Sequence, residues 1–246
     1  MPAGRSMGRC TQNDGETVNI LLEWRASVPA TLSAYLTKVA DNIPTDEDVN
    51  RPEEIRTMKI AGIFHDPQRT AIVYLCPRQP VNLRDVLRKI EKPSGSDRRA
   101  LASIIATKVR SLHVHFHLQH MALRAESFVF LGENGRPDFA NPYILDWGRP
   151  SFASIYQHPE YQKAEPHWFY DVWSLMMVLS EIAEWQPVEA CGDESELLKK
   201  KLERTQKVTD PGWKGDLTAR VFQHGFGFLG KIPWEGQSHP LAAQQA

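Results

Sequence analysis

The stretch "HMALRAESFVFL", residues 120–131, is the most informative part of the sequence for the fold. It begins with His120, carries Arg124 four residues later, and ends in an apolar run rich in aromatic and β-branched residues. Such a run predicts a short buried strand. A second short strand is predicted at 143–145, after a segment at 132–137 that contains Gly and Pro and predicts a turn. The stretch is therefore a polar loop that leads into a pair of short strands.

Three further motifs follow this loop in a fixed order. They are "ILDWGRP" at 144–150, "YQHPEY" at 156–161 and "DVWSLMMVLSEI" at 171–182. The region 170–185 is apolar on nearly all sides, which predicts a helix buried at the centre of a domain.

The first third of the chain alternates strand and helix signals. "TVNILLEWR" at 17–25 predicts a strand, and two more strands are predicted within 58–77 on either side of a turn at 65–69. Between them, the segment 29–42 has an apolar stripe at helical spacing, formed by Leu32, Tyr35, Leu36 and Val39. This region predicts a small α+β unit.

The chain becomes mainly helical after Pro77. Asn82 is a predicted N-cap for the helix that begins "LRDVLRKIE". A long helix is predicted from residue 95, with a buried stripe made by Leu101, Ile104, Ile105, Lys108 and Leu112. The helical signal fades after about residue 207.

The four motifs resemble, in order and spacing, those of the protein kinases, which write them as H-R-D-L-x-x-x-N, Asp-Phe-Gly, Ala-Pro-Glu and D-x-W-S-x-G. The closer resemblance is to degenerate kinase-like domains of fungal proteins that often follow a HeLo-type prion-inhibition or cell-death module. That similarity rests on "EWR" at 23–25, "GIFHDP" at 62–67 and "YQHPEY" at 156–161. It covers roughly residues 17–190.

The resemblance implies an α+β, bilobal protein-kinase-like fold with an abbreviated N-lobe sheet and a mainly helical C-lobe. We place the N-lobe at 1–77, structured over 17–77 with a loose arm at 1–16. The C-lobe takes 78–246, and after about residue 207 we expect a diverged or poorly ordered tail.

The catalytic loop lacks the groups that phosphoryl transfer requires. The position of the aspartate base is Ala122, which can accept no proton, and the position of the metal-binding asparagine is Ser127. A positioned acid or base typically contributes ~10²–10⁴-fold to the rate. The degenerate loop formed by His120, Ala122, Arg124 and Ser127 therefore predicts impaired catalysis.

The nucleotide-binding groups are also altered. The resemblance places Arg25 where kinases have a phosphate-binding lysine, and the helix 29–42 offers no acid before Asp41 to pair with it. The glycines near the N-terminus do not form G-x-G-x-x-G. Asp146 is the one remaining residue expected to hold magnesium or contact ATP, and the alternative is that it caps a turn.

These observations favour a catalytically impaired pseudokinase that acts as a binding or regulatory module, with a setting in fungal self-recognition or cell-death signalling implied by the resemblance alone. One alternative is a residual Ser/Thr protein kinase that uses Asp146, Arg25 and Mg-ATP by an altered mechanism. Another is a small-molecule phosphotransferase of the aminoglycoside- or choline-kinase kind, against which Ala122 also argues.

Other polar residues in the motifs are expected to have structural roles. By the resemblance, Asp171 accepts hydrogen bonds from the catalytic-loop backbone, and Glu160 pairs with an arginine. The histidines of "HVHFHLQH" at 113–120 could be metal ligands by spacing, but no carboxylate or cysteine completes the set, so we expect packed or surface side chains.

Composition limits the compartment and the partners. The formal net charge of −1 argues against nucleic-acid binding, and three widely spaced cysteines indicate a reducing compartment. The N-terminal residues contain no secretory signal, and no apolar run is long enough to span a membrane. We therefore expect a soluble cytoplasmic protein whose partner is another protein.

Overall fold

The computed structural model describes residues 4–11, 15–43, 56–133, 136–148, 155–158, 168–189 and 193–227. The predicted elements of the first third are present. They form a four-stranded antiparallel sheet with the order β1-β2-β4-β3. Its strands are β1 (Arg5–Thr11), β2 (Thr17–Arg25), β3 (Ile60–His65) and β4 (Thr70–Leu75).

The expected loose arm at 1–16 is wrong for Arg5–Thr11, which form β1. This strand pairs along its whole length with β2, from Arg5 opposite Glu23 to Thr11 opposite Thr17. It lies at the edge of the sheet, and its side chains are exposed or half-buried. Backbone hydrogen bonds hold such a strand in place, so it needs no apolar alternation in its sequence.

Helix α1 (Ala30–Asn42) has the predicted apolar stripe, with Leu32, Leu36 and Val39 buried. The long buried helix predicted at 170–185 is α4 (Trp168–Glu184). Asn82 caps α2 (Leu83–Lys89), since its side chain accepts a hydrogen bond from Asp85 N at 2.9 Å.

A small second sheet carries the strands that follow the loop at 120–127. It has the order β5-β6-β9, with β5 at Val81–Asn82, β6 at Phe128–Phe130 and β9 at Tyr143–Ile144. The predicted turn between the last two contains a short hairpin of β7 (Gly132–Glu133) and β8 (Arg136–Pro137). Among the described residues, Phe128, Phe130 and Ile144 are fully buried, so this sheet lies in the core.

The remaining helices are α3 (Gly95–Val114), α5 (Glu194–Thr209), α6 (Pro211–Lys214) and α7 (Asp216–Gly227). The expectation of a diverged or poorly ordered tail after about residue 207 is wrong for α7, because Ala219, Phe222 and Phe226 bury one of its faces. Gly225 made this segment resemble a loop. In the structure Gly225 packs closely against Met176, and a Cβ at Gly225 would lie 2.2 Å from the Met176 sulfur. Residues 228–246 lie outside the described part.

No helix within the described residues has the length and apolar character needed to cross a membrane.

Candidate functional site

The loop that contains Ala122 is anchored by the first turn of α4. The Asp171 carboxylate accepts hydrogen bonds from His120 N at 2.6 Å and Met121 N at 3.0 Å, and it also contacts His113 Nε2 at 3.0 Å. Met121 has a φ of 66°, a left-handed conformation that side chains other than glycine adopt infrequently. Asp171 therefore holds the loop at a residue whose backbone conformation is unfavourable for a side chain.

His120 links this loop to the segment that contains Asp146. Its Nε2 donates to Leu145 O at 2.7 Å, and its ring lies 4.9 Å from that of Trp147. Burial lowers the pKa of His120, so the neutral imidazole is the stable form. A neutral, fully buried ring in these contacts positions two chain segments against each other.

The loop position that would carry a metal ligand, Ser127, is turned toward the loop itself. Ser127 is fully buried, and its hydroxyl accepts from Arg124 N at 3.2 Å and donates to Ala122 O at 3.4 Å. Both contacts lie within the loop. Ser127 thus bonds within its own loop, and the only polar atoms of Ala122 are those of its backbone.

Asp146 is held by two arginines from distant parts of the chain. Its Oδ2 accepts from Arg124 Nε at 3.1 Å and Nη2 at 2.9 Å, and Arg5 Nη2 lies 3.2 Å from the same oxygen. Asp146 is 1% exposed, with a φ of 67°. For both arginines burial is the largest cause and acts to lower the pKa, but the neighbouring acidic groups, Asp146 foremost, together outweigh it, and the pKa is raised.

Arg25 binds a carboxylate on its own strand. Its Nε and Nη2 donate to Glu23 Oε1 at 3.0 and 2.6 Å, and Nη2 also donates to Trp147 O at 2.8 Å. The second Glu23 oxygen accepts from Asp146 N at 3.0 Å. Glu23 is fully buried, so it connects the β2 strand to the Asp146 segment at the centre of the site.

Sequence reasoning missed Glu23 and Arg5. A signal for Glu23 was present, because residues two apart on a strand share a face and "EWR" therefore places Glu23 beside Arg25. No local signal exists for Arg5, whose position follows from its pairing opposite Glu23. We call the five residues Arg5, Glu23, Arg25, Arg124 and Asp146 the buried charge network.

The buried charge network contains three guanidinium groups and two carboxylates. Magnesium needs near-octahedral oxygen ligands and is usually bound through carboxylates. Here Asp146 Oδ2 is within 3.2 Å of the guanidinium groups of Arg5 and Arg124, and their positive charges repel a metal cation. The residues present do not fit the Mg-ATP expected at Asp146 and Arg25.

The remaining predicted site residues are accounted for as follows. His115 contacts the Ser111 hydroxyl at 3.0 Å, and no group of three or more potential metal ligands occurs in the described ranges. Glu160 lies outside them. Within them, Cys10 and Cys76 are free thiols.

No protein-family model matches the sequence, and no curated protein matches it. The fold is widespread, since 1895 chains of solved structures match. One is the crystal structure of Rad53 1-466 in complex with AMP-PNP, a protein kinase. The TM-score is 0.59 at 15% sequence identity, and the match covers 92% of this chain and 57% of that chain. At this identity the likeness establishes the fold alone: the chain has the bilobal α+β fold of the protein kinases.

Proposed function

We propose that this chain is a catalytically impaired protein-kinase-like module that acts by binding a protein partner. The observation that carries the proposal is the pairing of Asp146 with Arg124 and Arg5. In the kinases that the sequence resembles, the matching aspartate holds magnesium. Here its charge already stabilises two half-buried guanidinium groups, so metal binding would first require the ion pairs of a buried carboxylate to break.

Freeing either Asp146 or Arg25 to bind a nucleotide would be unfavourable. Arg124 and Arg5 would lose their carboxylate partner, and removal of one member of a buried pair typically costs about 3–5 kcal/mol. Arg25 would also have to leave Glu23 and the Trp147 carbonyl in order to reach a phosphate. The same groups that stabilise the fold thus compete with nucleotide.

The absence of a base supports the same proposal independently. Ala122 has no acidic or basic group, and the buried Ser127 hydroxyl is engaged within the loop. Phosphoryl transfer depends on positioned charges, so the loss of a base and the occupation of Asp146 act on different parts of the reaction.

We expect Mg-ATP at millimolar concentration to leave the thermal unfolding midpoint unchanged. A ligand at about 100 times its dissociation constant would add about 2.7 kcal/mol, which corresponds to several degrees for a chain of this size. The measurement is thermal unfolding with Mg-ATP, with ATP alone and with Mg²⁺ alone, followed by a radiolabelled phosphate-transfer assay. An active protein kinase processed in parallel is the positive control.

Two variants make this test sharper. Ala122→Asp supplies a base, and the double substitution Arg5→Ala with Arg124→Ala releases Asp146. If several parts of the machinery are lost together, neither variant transfers phosphate. A magnesium-dependent rise in the midpoint of the parent protein, or transfer by the Ala122→Asp protein, would contradict the proposal and favour the residual Ser/Thr kinase.

We further propose that the partner belongs to fungal self-recognition or cell-death signalling, on the resemblance of "EWR", "GIFHDP" and "YQHPEY" to fungal kinase-like domains. The contact would use the lobes, whose arrangement can switch on binding. Of the segment 146–161, which would take part, only 146–148 and 155–158 lie within the described residues. Calorimetric titration of the chain with a purified fungal HeLo-type module should give saturable binding. The absence of binding would argue against this setting and leave the pseudokinase proposal intact.

A further inference from the structure

A cavity of about 510 Å³ opens between three separate segments of the chain. Arg56 approaches it from the residues before β3, and Pro77 and Arg78 approach it from the end of β4. The other lining residues come from the β7–β8 hairpin and its flanks, and they are Leu131, Gly132, Arg136, Asp138, Asn141 and Tyr143. Its volume falls in the range of small-molecule sites. None of the lining residues belongs to the buried charge network, so this cavity is separate from the site described above.

The lining of the cavity is strongly positive. Among the described side chains it includes Arg56, Arg78 and Arg136, against a single carboxylate, Asp138. Both oxygens of that carboxylate accept hydrogen bonds from nearby residues, from Ala140 N at 3.0 Å and from the Asn141 side-chain amide at 2.8 Å. The arginines therefore outnumber the acids of the lining by three to one.

Arg56 carries a buried donor that is unsatisfied within the described residues. Its Nε is shielded from solvent and has no hydrogen-bond acceptor. The backbone of Arg56 is fixed, since its carbonyl accepts from Ile144 N at 2.8 Å and the residue forms a parallel bridge with Tyr143. A buried donor without a partner is costly, so a donor held in place beside a cavity indicates a missing acceptor.

A further basic residue, Lys108, is close enough to Arg56 for their charges to interact. Lys108 is 2% exposed, and burial together with the charge of Arg56 lowers its pKa to about 8. Apolar surface completes the lining through Pro77, Leu131 and Tyr143. The cavity thus combines charged donors from three directions with an apolar wall.

We propose that this cavity binds a small anion that carries at least two phosphate groups. Guanidinium groups present planar pairs of donors that match phosphate oxygens, and each phosphate can accept several charge-assisted hydrogen bonds. Three arginines on three segments match an anion that has more than one charged group. The apolar wall accommodates the uncharged part of such a molecule. The inference is independent of the proposed pseudokinase function.

The test is calorimetric titration of the full chain, without magnesium, with sodium tripolyphosphate and with sodium phosphate at matched ionic strength. Tripolyphosphate should bind with one site and a dissociation constant below about 1 mM, and at least tenfold more tightly than phosphate. Arg136 is exposed on a hairpin, so Arg136→Glu should fold normally while it weakens tripolyphosphate binding at least tenfold. Arg78→Glu is a second variant that should act in the same direction.

Arg110→Glu is the matched control, because it makes the same change of charge at an exposed position of α3 that does not line the cavity. It should retain the parent affinity. The proposal is overturned if tripolyphosphate does not bind, if the Arg136→Glu and Arg78→Glu proteins bind as tightly as the parent, or if Arg110→Glu weakens binding equally. The last result would mean that tripolyphosphate responds only to the overall charge of the protein.

Discussion

Replacement of Glu23 by alanine should lower the free energy of unfolding by about 3–5 kcal/mol, the usual cost of removing one partner of a buried ion pair. Glu23 is fully buried, and its oxygens accept from Arg25 and from Asp146 N. Its loss would leave Arg25 with the backbone carbonyl of Trp147, and it would leave Arg5 with Asp146 as its carboxylate partner. One buried and two half-buried guanidinium groups would then share one carboxylate.

Urea denaturation of the parent and the Glu23→Ala protein measures this loss through the unfolding midpoint and slope. Glu203→Ala is the matched control, since Glu203 is 61% exposed and its ion pair with Lys199 has a length of 3.8 Å. An exposed substitution of this kind usually changes stability by less than about 0.5 kcal/mol. If Glu23→Ala were no more destabilising than Glu203→Ala, the buried charge network would not stabilise the folded state as we expect.

The largest pH effect is expected from Glu181 in α4. This carboxylate is fully buried and accepts from the Tyr156 hydroxyl at 3.0 Å and from Val188 N at 2.7 Å. Burial is the main cause that raises its pKa to about 8, with a smaller contribution from the charge of Glu126, while its hydrogen bonds and Arg84 oppose the rise. The folded protein therefore retains a proton that the unfolded chain releases near its ordinary pKa of 4.5.

Proton linkage determines whether the contribution of Glu181 to stability rises or falls with pH. Between pH 4.5 and about 8 the folded state binds more protons at Glu181 than the unfolded state does, so the contribution of Glu181 to stability falls as the pH rises. Glu181→Gln removes this dependence and keeps an oxygen that can accept from Val188 N. The variant should gain stability relative to the parent by about 2–3 kcal/mol between pH 6 and pH 8, on the scale of 1.36 kcal/mol for each pH unit.

The measurement is urea denaturation of both proteins at pH 6 and pH 8. Glu203→Gln serves as the control for loss of an exposed carboxylate, and its difference from the parent should be nearly the same at the two pH values. A difference between the Glu181→Gln and parent proteins that does not change with pH would show that Glu181 is charged in the folded state.

Local patterns were sufficient for most of the fold. The apolar stripe of α1, the Asn82 cap and the uniformly apolar α4 each depend on residues within a few positions of one another. The order of the loop at 120–131 and the motifs after it then indicated the kinase-like fold, which the similarity to Rad53 supports. Strand β1 and helix α7 were not predicted, because an edge strand needs no apolar alternation and Gly225 resembles a loop residue until Met176 is packed against it.

The absence of an acid at position 122 is a property of the sequence in any fold, because alanine has no ionisable side chain. The contacts of the other polar residues depend on the tertiary structure alone. Asp146 N meets Glu23 across 123 positions, and Arg5 reaches the Glu126 carbonyl across 121. The charge of a side chain is a property of its residue type, but its partner depends on which segments the packed core brings within about 3 Å, and no local pattern encodes that distance.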